Sequence, residues 1–333
     1  MPATRATSEP LRIFSTAPLR GPGLDALRQL GEVILEPWID QQPLRLYDEE
    51  KLAARAAELE ANVLICEADR CAGPVFDLPL VAVGSTRGDP TNVDVADATA
   101  HGIAVLRAPG RNADGVAELT VGLLLAVTRH LLSADHDVRQ GEVFRDGSIP
   151  YQRFRGWQLA GRTAGLVGLG AVGRATRWRL QGLGMEVIAS DPVADDATHD
   201  LDDLLAEADV VSMHAAVTPE TLAMMSSDQF ARMKPGSIYV NSARAGLHDL
   251  DALTAALASG HLGGAALDHF EGESIATDHP LTAMAQVVLT PHIGGATYDT
   301  ETNHTTLMAE GLATLLRGER PANLANPEVF HHG

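Results

Sequence analysis

The stretch "GLVGLGAVGRATRWRLQGLGMEVIASD", residues 165–191, decides how the chain is read. It holds a G-x-G-x-x-G spacing at Gly168, Gly170 and Gly173, behind an apolar run and ahead of a helical segment carrying Ala175 and Leu180. The spacing alone says little, because a chain with 31 glycines holds such clusters by chance. The context gives it weight: strand, glycine turn, helix and a second strand ending in Asp191 form one βαβ unit. Gly168 permits the tight turn, Gly170 lets backbone approach a pyrophosphate, and Gly173 lets the helix lie close on the sheet. The helix start offers unpaired N–H groups and partial positive charge to phosphates. Asp191 stands 18 residues beyond Gly173, where a carboxylate accepts from both ribose hydroxyls and repels a 2′-phosphate. Asp195 and Asp196 add negative charge and no arginine follows directly, so NAD is expected over NADP.

The same alternation runs outward in both directions. Ahead of the fingerprint, apolar runs at 11–16, 32–37, 62–68, 79–85 and 103–109 read as strands, with an amphipathic stretch at 47–60 among them. Behind it, runs at 163–169, 186–191, 209–215, 237–243, 263–270 and 286–292 alternate with helical segments near 171–183, 200–207, 226–233 and 249–259. Continuous apolar strands separated by helices imply parallel sheets covered on both faces. The expected fold class is therefore α/β, with two doubly wound parallel-sheet domains: a Rossmann-type NAD domain and a flavodoxin-like substrate domain. A long helix is expected from an Asn112 cap towards Gln140, nearly all apolar at its start. The helical stretch 297–317 starts no third sheet, so it is assigned back to the first domain. The expected division is 1–109 with 297–333 for substrate and 110–296 for NAD.

Bulk properties narrow the function. The net charge of -19 repels phosphate backbones, so no nucleic-acid partner is expected. A small anionic substrate then needs local cations, and Arg87, Arg111 and Arg244 are the candidates. Cys66 and Cys71 form no paired metal-ligand pattern, so neither a metal nor a disulfide framework is expected. The leading "MPATRATSEP" lacks a signal peptide's apolar stretch, and the longest apolar run, "VGLLLAV" at 121–127, falls short of the roughly 20 residues that span a bilayer. A cytoplasmic protein without membrane contact is expected.

In a parallel doubly wound sheet, ligands bind beyond the carboxyl ends of the strands. Arg244, Glu273 and His292 follow three late strands of the second series in turn. Singly, each has an ordinary explanation as a surface, solvated or structural residue. Together they can converge where a nicotinamide would lie.

Here the chain resembles the D-isomer-specific 2-hydroxyacid dehydrogenase family, whose members include phosphoglycerate and phosphite dehydrogenases. The likeness runs from about Gly84 onward, through "NVDVADATAHGIAV", "PGRNADGVAELT", "GLVGLGAVG", "ADVVSMHAAVTPETL", "MKPGSIYVNSARAG" and "LTPHIGGAT" in order. Residues 1–80 share only the general alternation. The resemblance implies that Arg244 binds the substrate carboxylate and polarises the C2 oxygen, that His292 exchanges the proton, and that Glu273 fixes the imidazole tautomer. It further implies that Ala171 and Val172 offer backbone to the pyrophosphate and that Ala215, Ala216 and Thr221 line the adenine and ribose side. Ser242 and Ala243 would pack near the nicotinamide, and Asp268 would accept from its carboxamide. In the loop "GSTRGDPTN", residues 84–92, the backbone at Thr86, Arg87 and Gly88 would hold the substrate carboxylate. Arg87 could meet a second anionic group, or pair with Asp89, or face solvent.

Ala245, His248, His269 and Ser274 depart from the family's usual glycine, aliphatic residue, valine and proline. They put the site wall and the substrate's identity in question. The expected function is NAD-dependent hydride transfer at C2 of a small D-2-hydroxy or 2-oxo acid, by a homodimer. The rivals are a dehydrogenase of phosphite or a hydroxyalkylphosphonate with the same triad, and an NADH-sensing corepressor-like protein without turnover.

Overall fold

The structure is a computed structural model that describes residues 10–330; the leading stretch 1–9, read above for a missing signal peptide, lies outside them. The chain divides into two compact units, residues 1–111 with 297–333 and residues 112–296.

The first unit opens with β1 (Leu11–Ser15), α1 (Pro22–Leu30), β2 (Gly31–Leu35), α2 (Glu49–Glu58), β3 (Val63–Cys66), β4 (Ala82–Ser85), α3 (Val95–Ala100) and β5 (Ala104–Leu106). The second unit runs through α4 (Ala113–Thr128), α5 (Leu131–Gln140), α6 (Pro150–Arg153), β6 (Thr163–Val167), α7 (Ala171–Gly182), β7 (Glu186–Ser190), α8 (Leu201–Glu207) and β8 (Val210–Met213). It closes with α9 (Ser227–Arg232), β9 (Ile238–Asn241), α10 (Leu250–Ala258), β10 (Gly264–Leu267) and β11 (Val287–Leu289). The chain then rejoins the first unit as α11 (Tyr298–Leu316), capped by the Thr297 side chain on the Thr300 N–H.

Every strand pair is parallel. The first sheet has the order β2-β1-β3-β4-β5, the flavodoxin-like arrangement. Leu27 of α1 and Met308 and Leu312 of α11 bury one of its faces, and Leu52 and Ala98 of α2 and α3 the other. The second sheet has the order β11-β10-β9-β8-β6-β7. Leu124 and Leu180 of α4 and α7 cover one face; Leu204, Phe230 and Leu253 of α8, α9 and α10 cover the other.

Among the described residues, the second sheet lacks the strand that a full Rossmann sheet sets outside β7. The chain there reads "DPVADDATHD", residues 191–200, whose proline and acids form strands poorly. Thr198 shields the exposed edge instead. Its N–H donates to Ala189 O at 2.9 Å and its hydroxyl accepts from the Ala189 N–H at 3.1 Å.

One element differs from expectation. The helix foreseen from Asn112 to Gln140 is broken after Thr128 and bends by 64°. His130 sits in the left-handed region at φ 53° and starts α5. Asn112 does hold the first cap position, but its side chain makes no capping bond. Among the described residues no single helix is long and apolar enough to cross a membrane.

Candidate active site

The strands β9, β10 and β11 are parallel neighbours, so their following loops leave from one edge of the sheet. Arg244 follows β9 in extended backbone. Glu273 ends a short turn after β10. His292 lies three residues past β11, which ends at Leu289 rather than running on to the histidine.

His292 Nδ1 stands 3.0 Å from both carboxylate oxygens of Glu273. Its N–H donates to the acid, which leaves Nε2 for proton exchange. Both residues hold left-handed backbone, Glu273 at φ 59° and His292 at φ 56°. Such a conformation costs a non-glycine residue roughly 1–2 kcal/mol and is concentrated at functional sites. Arg244 Nη1 donates to Ala243 O at 2.7 Å and approaches His269 Nε2 at 3.4 Å. The His269 ring lies 3.6 Å, centroid to centroid, from that of His292. The expected trio is thus brought together, with His269 touching two of its members. Among the described residues no carboxylate stands within ion-pair reach of Arg244.

Burial, then the neighbouring His292 and Arg244, pushes the His269 pKa down to about 4. The ring is therefore neutral near pH 7 and can accept at Nε2. His269, Glu273 and His292 also bring possible metal-ligand atoms within 4.8 Å of one another. The fixed charge of Arg244 beside His269 opposes a cation there.

Asp268, expected to accept from a nicotinamide carboxamide, is tied into the protein. It is fully buried, and its Oδ1 accepts from the Thr290 hydroxyl at 2.6 Å and the Ile293 N–H at 2.9 Å. Its Oδ2 accepts from the Gly294 N–H at 2.8 Å. Three of about four acceptor places are filled, so the carboxylate anchors the His292 turn to the end of β10 and keeps one place unfilled among the described residues.

A matching anchor holds the arginine loop. Asn241 donates to Arg244 O and to His248 Nδ1, each at 2.8 Å, and accepts from the Ala243 N–H at 3.0 Å. Burial holds His248 at a pKa of about 4, so it stays a neutral acceptor. Asn241 was not singled out in the sequence, although an amide closing a strand just before an exposed arginine was the signal available.

The glycine turn separates protein demands from ligand demands. A Cβ on Gly168, at φ 102°, would meet Ala215 N at 2.6 Å, and one on Gly173 would meet Gly168 O at 2.1 Å. These two glycines are required by the fold itself. A Cβ on Gly170 would meet nothing within 4 Å, and its φ of -67° suits any residue. That space is open to a pyrophosphate approaching the start of α7. Asp191 accepts from the Leu169 N–H at 2.7 Å and from the Val193 and Ala194 N–H groups at 2.9 and 3.0 Å. These backbone bonds, Leu169's first, hold its carboxyl below the usual range. The acid ties the glycine turn to the end of β7 and keeps one acceptor place for a ribose hydroxyl.

Ala215 lies against Gly168, and the Thr221 hydroxyl closes the next loop by donating to Ala216 O at 2.6 Å. The Ser242 hydroxyl is buried against Thr120 of α4 at 2.6 Å, while Ala243 is half-buried beside it. Ala171 is exposed and Val172 half-buried at the helix start.

In the first unit, the loop after β4 is more committed than expected. The Thr86 N–H already donates to Cys66 O at 3.0 Å, and the Arg87 N–H lies 3.4 Å from the Ser85 hydroxyl. Of these three residues Gly88 keeps an N–H without a protein partner among the described residues. Among those residues Arg87 pairs with no acid, Asp89 included: it donates to Glu67 O at 2.6 Å and to the Thr91 hydroxyl at 3.2 Å. Arg111 is neutralised, 2.5 Å from the Glu67 carboxylate and 2.9 Å from His304 Nδ1.

Comparison with known proteins follows the same lines. Residues 121–294 match the sequence family described as D-isomer specific 2-hydroxyacid dehydrogenase, NAD binding domain. A glyoxylate reductase of Thermofilum pendens is 35% identical over 96% of this chain and 95% of its own length. A D-3-phosphoglycerate dehydrogenase of Methanocaldococcus jannaschii is 33% identical over 95% of this chain, which spans 59% of that longer protein. A crystal structure from Thermus thermophilus superposes with a TM-score of 0.80 at 33% identity, covering 95% of this chain and 100% of that one.

Proposed function

The chain belongs to the D-isomer-specific 2-hydroxyacid dehydrogenase family, and from that premise we propose how its residues divide the work of an NAD-dependent hydride transfer between a 2-hydroxy acid and its 2-oxo acid. The nicotinamide gives or takes the hydride when bound. Gly168, Gly170 and Gly173, the N–H groups of Ala171 and Val172, and Asp191 hold the dinucleotide, with Ala215, Ala216 and Thr221 beside it. Arg244 receives the substrate carboxylate and polarises the C2 oxygen; its guanidinium has no acid to neutralise it among the described residues. His292 Nε2 gives a proton to that oxygen in reduction and takes it back in oxidation. Glu273 keeps Nδ1 protonated and stabilises the imidazolium.

One observation carries this reading: the 3.0 Å contact between His292 and Glu273 beside an arginine that no described acid pairs. Glyoxylate is the first substrate to try, since the likeness to a glyoxylate reductase covers both chains almost fully. The test is a panel of 2-oxo acids, phosphonate-bearing ones included, followed by loss of NADH absorbance. Turnover of at least one member, reduced by about 10²–10⁴-fold in His292→Ala with NADH affinity kept, is the expected outcome. Undiminished turnover in that variant refutes the assignment.

We also infer a cytoplasmic homodimer. In the apolar stretch 112–127, Val116, Leu123, Leu124 and Val127 are buried, while Leu119, Val121, Leu125 and Ala126 stay half-buried and leave some apolar surface for a partner. Further support comes from Phe144, Tyr151 and Trp157, which are 77%, 87% and 62% exposed in one segment. Light scattering after size exclusion at micromolar concentration should give twice the chain mass of 35.2 kDa.

A further inference from the structure

The family resemblance puts valine where this chain has His269, and a valine can neither accept a hydrogen bond nor stack a ring. We propose that His269 is a positioning residue, whose Nε2 steadies the Arg244 guanidinium while its ring face fixes the plane of His292. The proposal rests on the roles given above to Arg244 and His292.

Three observations point the same way. The His269 side chain leaves the end of β10 next to the anchoring Asp268 and is only 6% exposed, so it is held by its surroundings. Its Nε2 lies 3.4 Å from Arg244 Nη1, at the long end of hydrogen bonding; among the described residues that nitrogen's only closer acceptor is Ala243 O at 2.7 Å. Its ring meets the His292 ring at 3.6 Å and 47°. Among the described residues the His292 ring is otherwise hydrogen-bonded at Nδ1 alone, to Glu273. A bond at one nitrogen fixes a direction, and the neighbouring ring fixes the plane.

The charges around His269 keep it able to do both. Burial, His292 and Arg244 oppose its protonation; Asp268 and Glu273 favour it, and the opposing group prevails. A neutral imidazole offers Arg244 a lone pair, whereas a protonated one would face it with like charge.

Two substitutions separate the two contacts. His269→Phe keeps a ring against His292 and removes the acceptor for Arg244. His269→Gln keeps an acceptor and removes the ring. Steady-state kinetics with the 2-oxo acid should show KM raised about ten-fold in the phenylalanine variant with kcat within about two-fold. The glutamine variant should show kcat lowered about ten-fold with KM nearly unchanged. NADH affinity, read by fluorescence, should match the unsubstituted protein in both.

A readout free of activity runs beside these: the NMR signal of His292 Hε1 in the protein without substrate. Its ring-current shift should persist in His269→Phe and vanish in His269→Gln. Kinetics unchanged in both variants, or KM rising while kcat and NADH affinity fall in both, overturns the proposal, as does a His292 signal that ignores the loss of the ring. If no 2-oxo acid is turned over while the NMR pattern appears, the positioning contact stands and the functional reading fails.

Discussion

Glu273 and Gly170 illustrate how single residues divide between chemistry and scaffold. Glu273 is exposed and meets His292 at 3.0 Å, so Glu273→Gln should leave stability almost untouched. It should lower kcat about ten-fold or more, because the amide no longer stabilises an imidazolium. A kcat within two-fold of the original would refute that role. Gly170→Ala adds a methyl where no protein atom lies within 4 Å, whereas Gly173→Ala drives one to 2.1 Å from Gly168 O. The first should weaken NADH binding at an unchanged melting temperature; the second should lower both. Equal melting losses in the two variants would contradict that division. The order Arg244, Glu273, His292 after successive strands was legible, because strand ends in a parallel sheet share an edge. The anchoring by Asn241, the contacts of His269 and the committed carboxylate of Asp268 were not, since each depends on which oxygen meets which N–H across loops remote in sequence.

Elements were legible wherever a continuous apolar run marked a buried parallel strand. Ten of the eleven runs read from the sequence contain an observed strand, the run 32–37 overlaps β2, and the helix of the fingerprint begins where expected, at Ala171. The break between α4 and α5 left no such mark, because "TRHLL", residues 128–132, holds neither glycine nor proline. His130 carries the left-handed turn itself. His130→Gly should therefore stabilise the protein by roughly 1 kcal/mol in urea unfolding, by removing the penalty of a side chain in that conformation. The turn after β11 gives the opposite case. Asp268→Ala leaves the Ile293 and Gly294 N–H groups without their acceptor. It should cost about 2–4 kcal/mol and lower kcat as well, since the same bonds hold His292.

The whole molecule should be acid-sensitive above the range in which its carboxylates titrate. Burial holds His214, His248, His269 and His304 at pKa values of about 4, against 6.5 for the free imidazole. Between those values the unfolded chain binds more protons than the folded one, so stability rises with pH across that window. It is complete above about 6.5 and is lost as pH falls towards 4, at up to about 1.4 kcal/mol per pH unit for each such histidine. Asp191 and Asp209, with carboxyls held below 3.8, extend the loss further down. The urea midpoint should accordingly drop between pH 7 and pH 5, and a flat midpoint there would count against neutral buried rings. At this scale the parallel sheets were legible because their strands are apolar on both faces. The outer strand that the second sheet lacks beside β7 among the described residues was legible too, since no apolar run falls between 191 and 209 and "DPVADDATHD" forms strands poorly.

The left-handed backbone at Glu273 and His292 has a bearing on how such a chain can change over generations. Glycine or asparagine would settle into either position with less strain. A descendant relieved of its chemistry should therefore drift to those residues first, growing sturdier as it falls silent. A stabilised, inactive homologue carrying His292→Gly or Glu273→Asn would be the fossil of that path, and a library selected for heat resistance alone should retrace it.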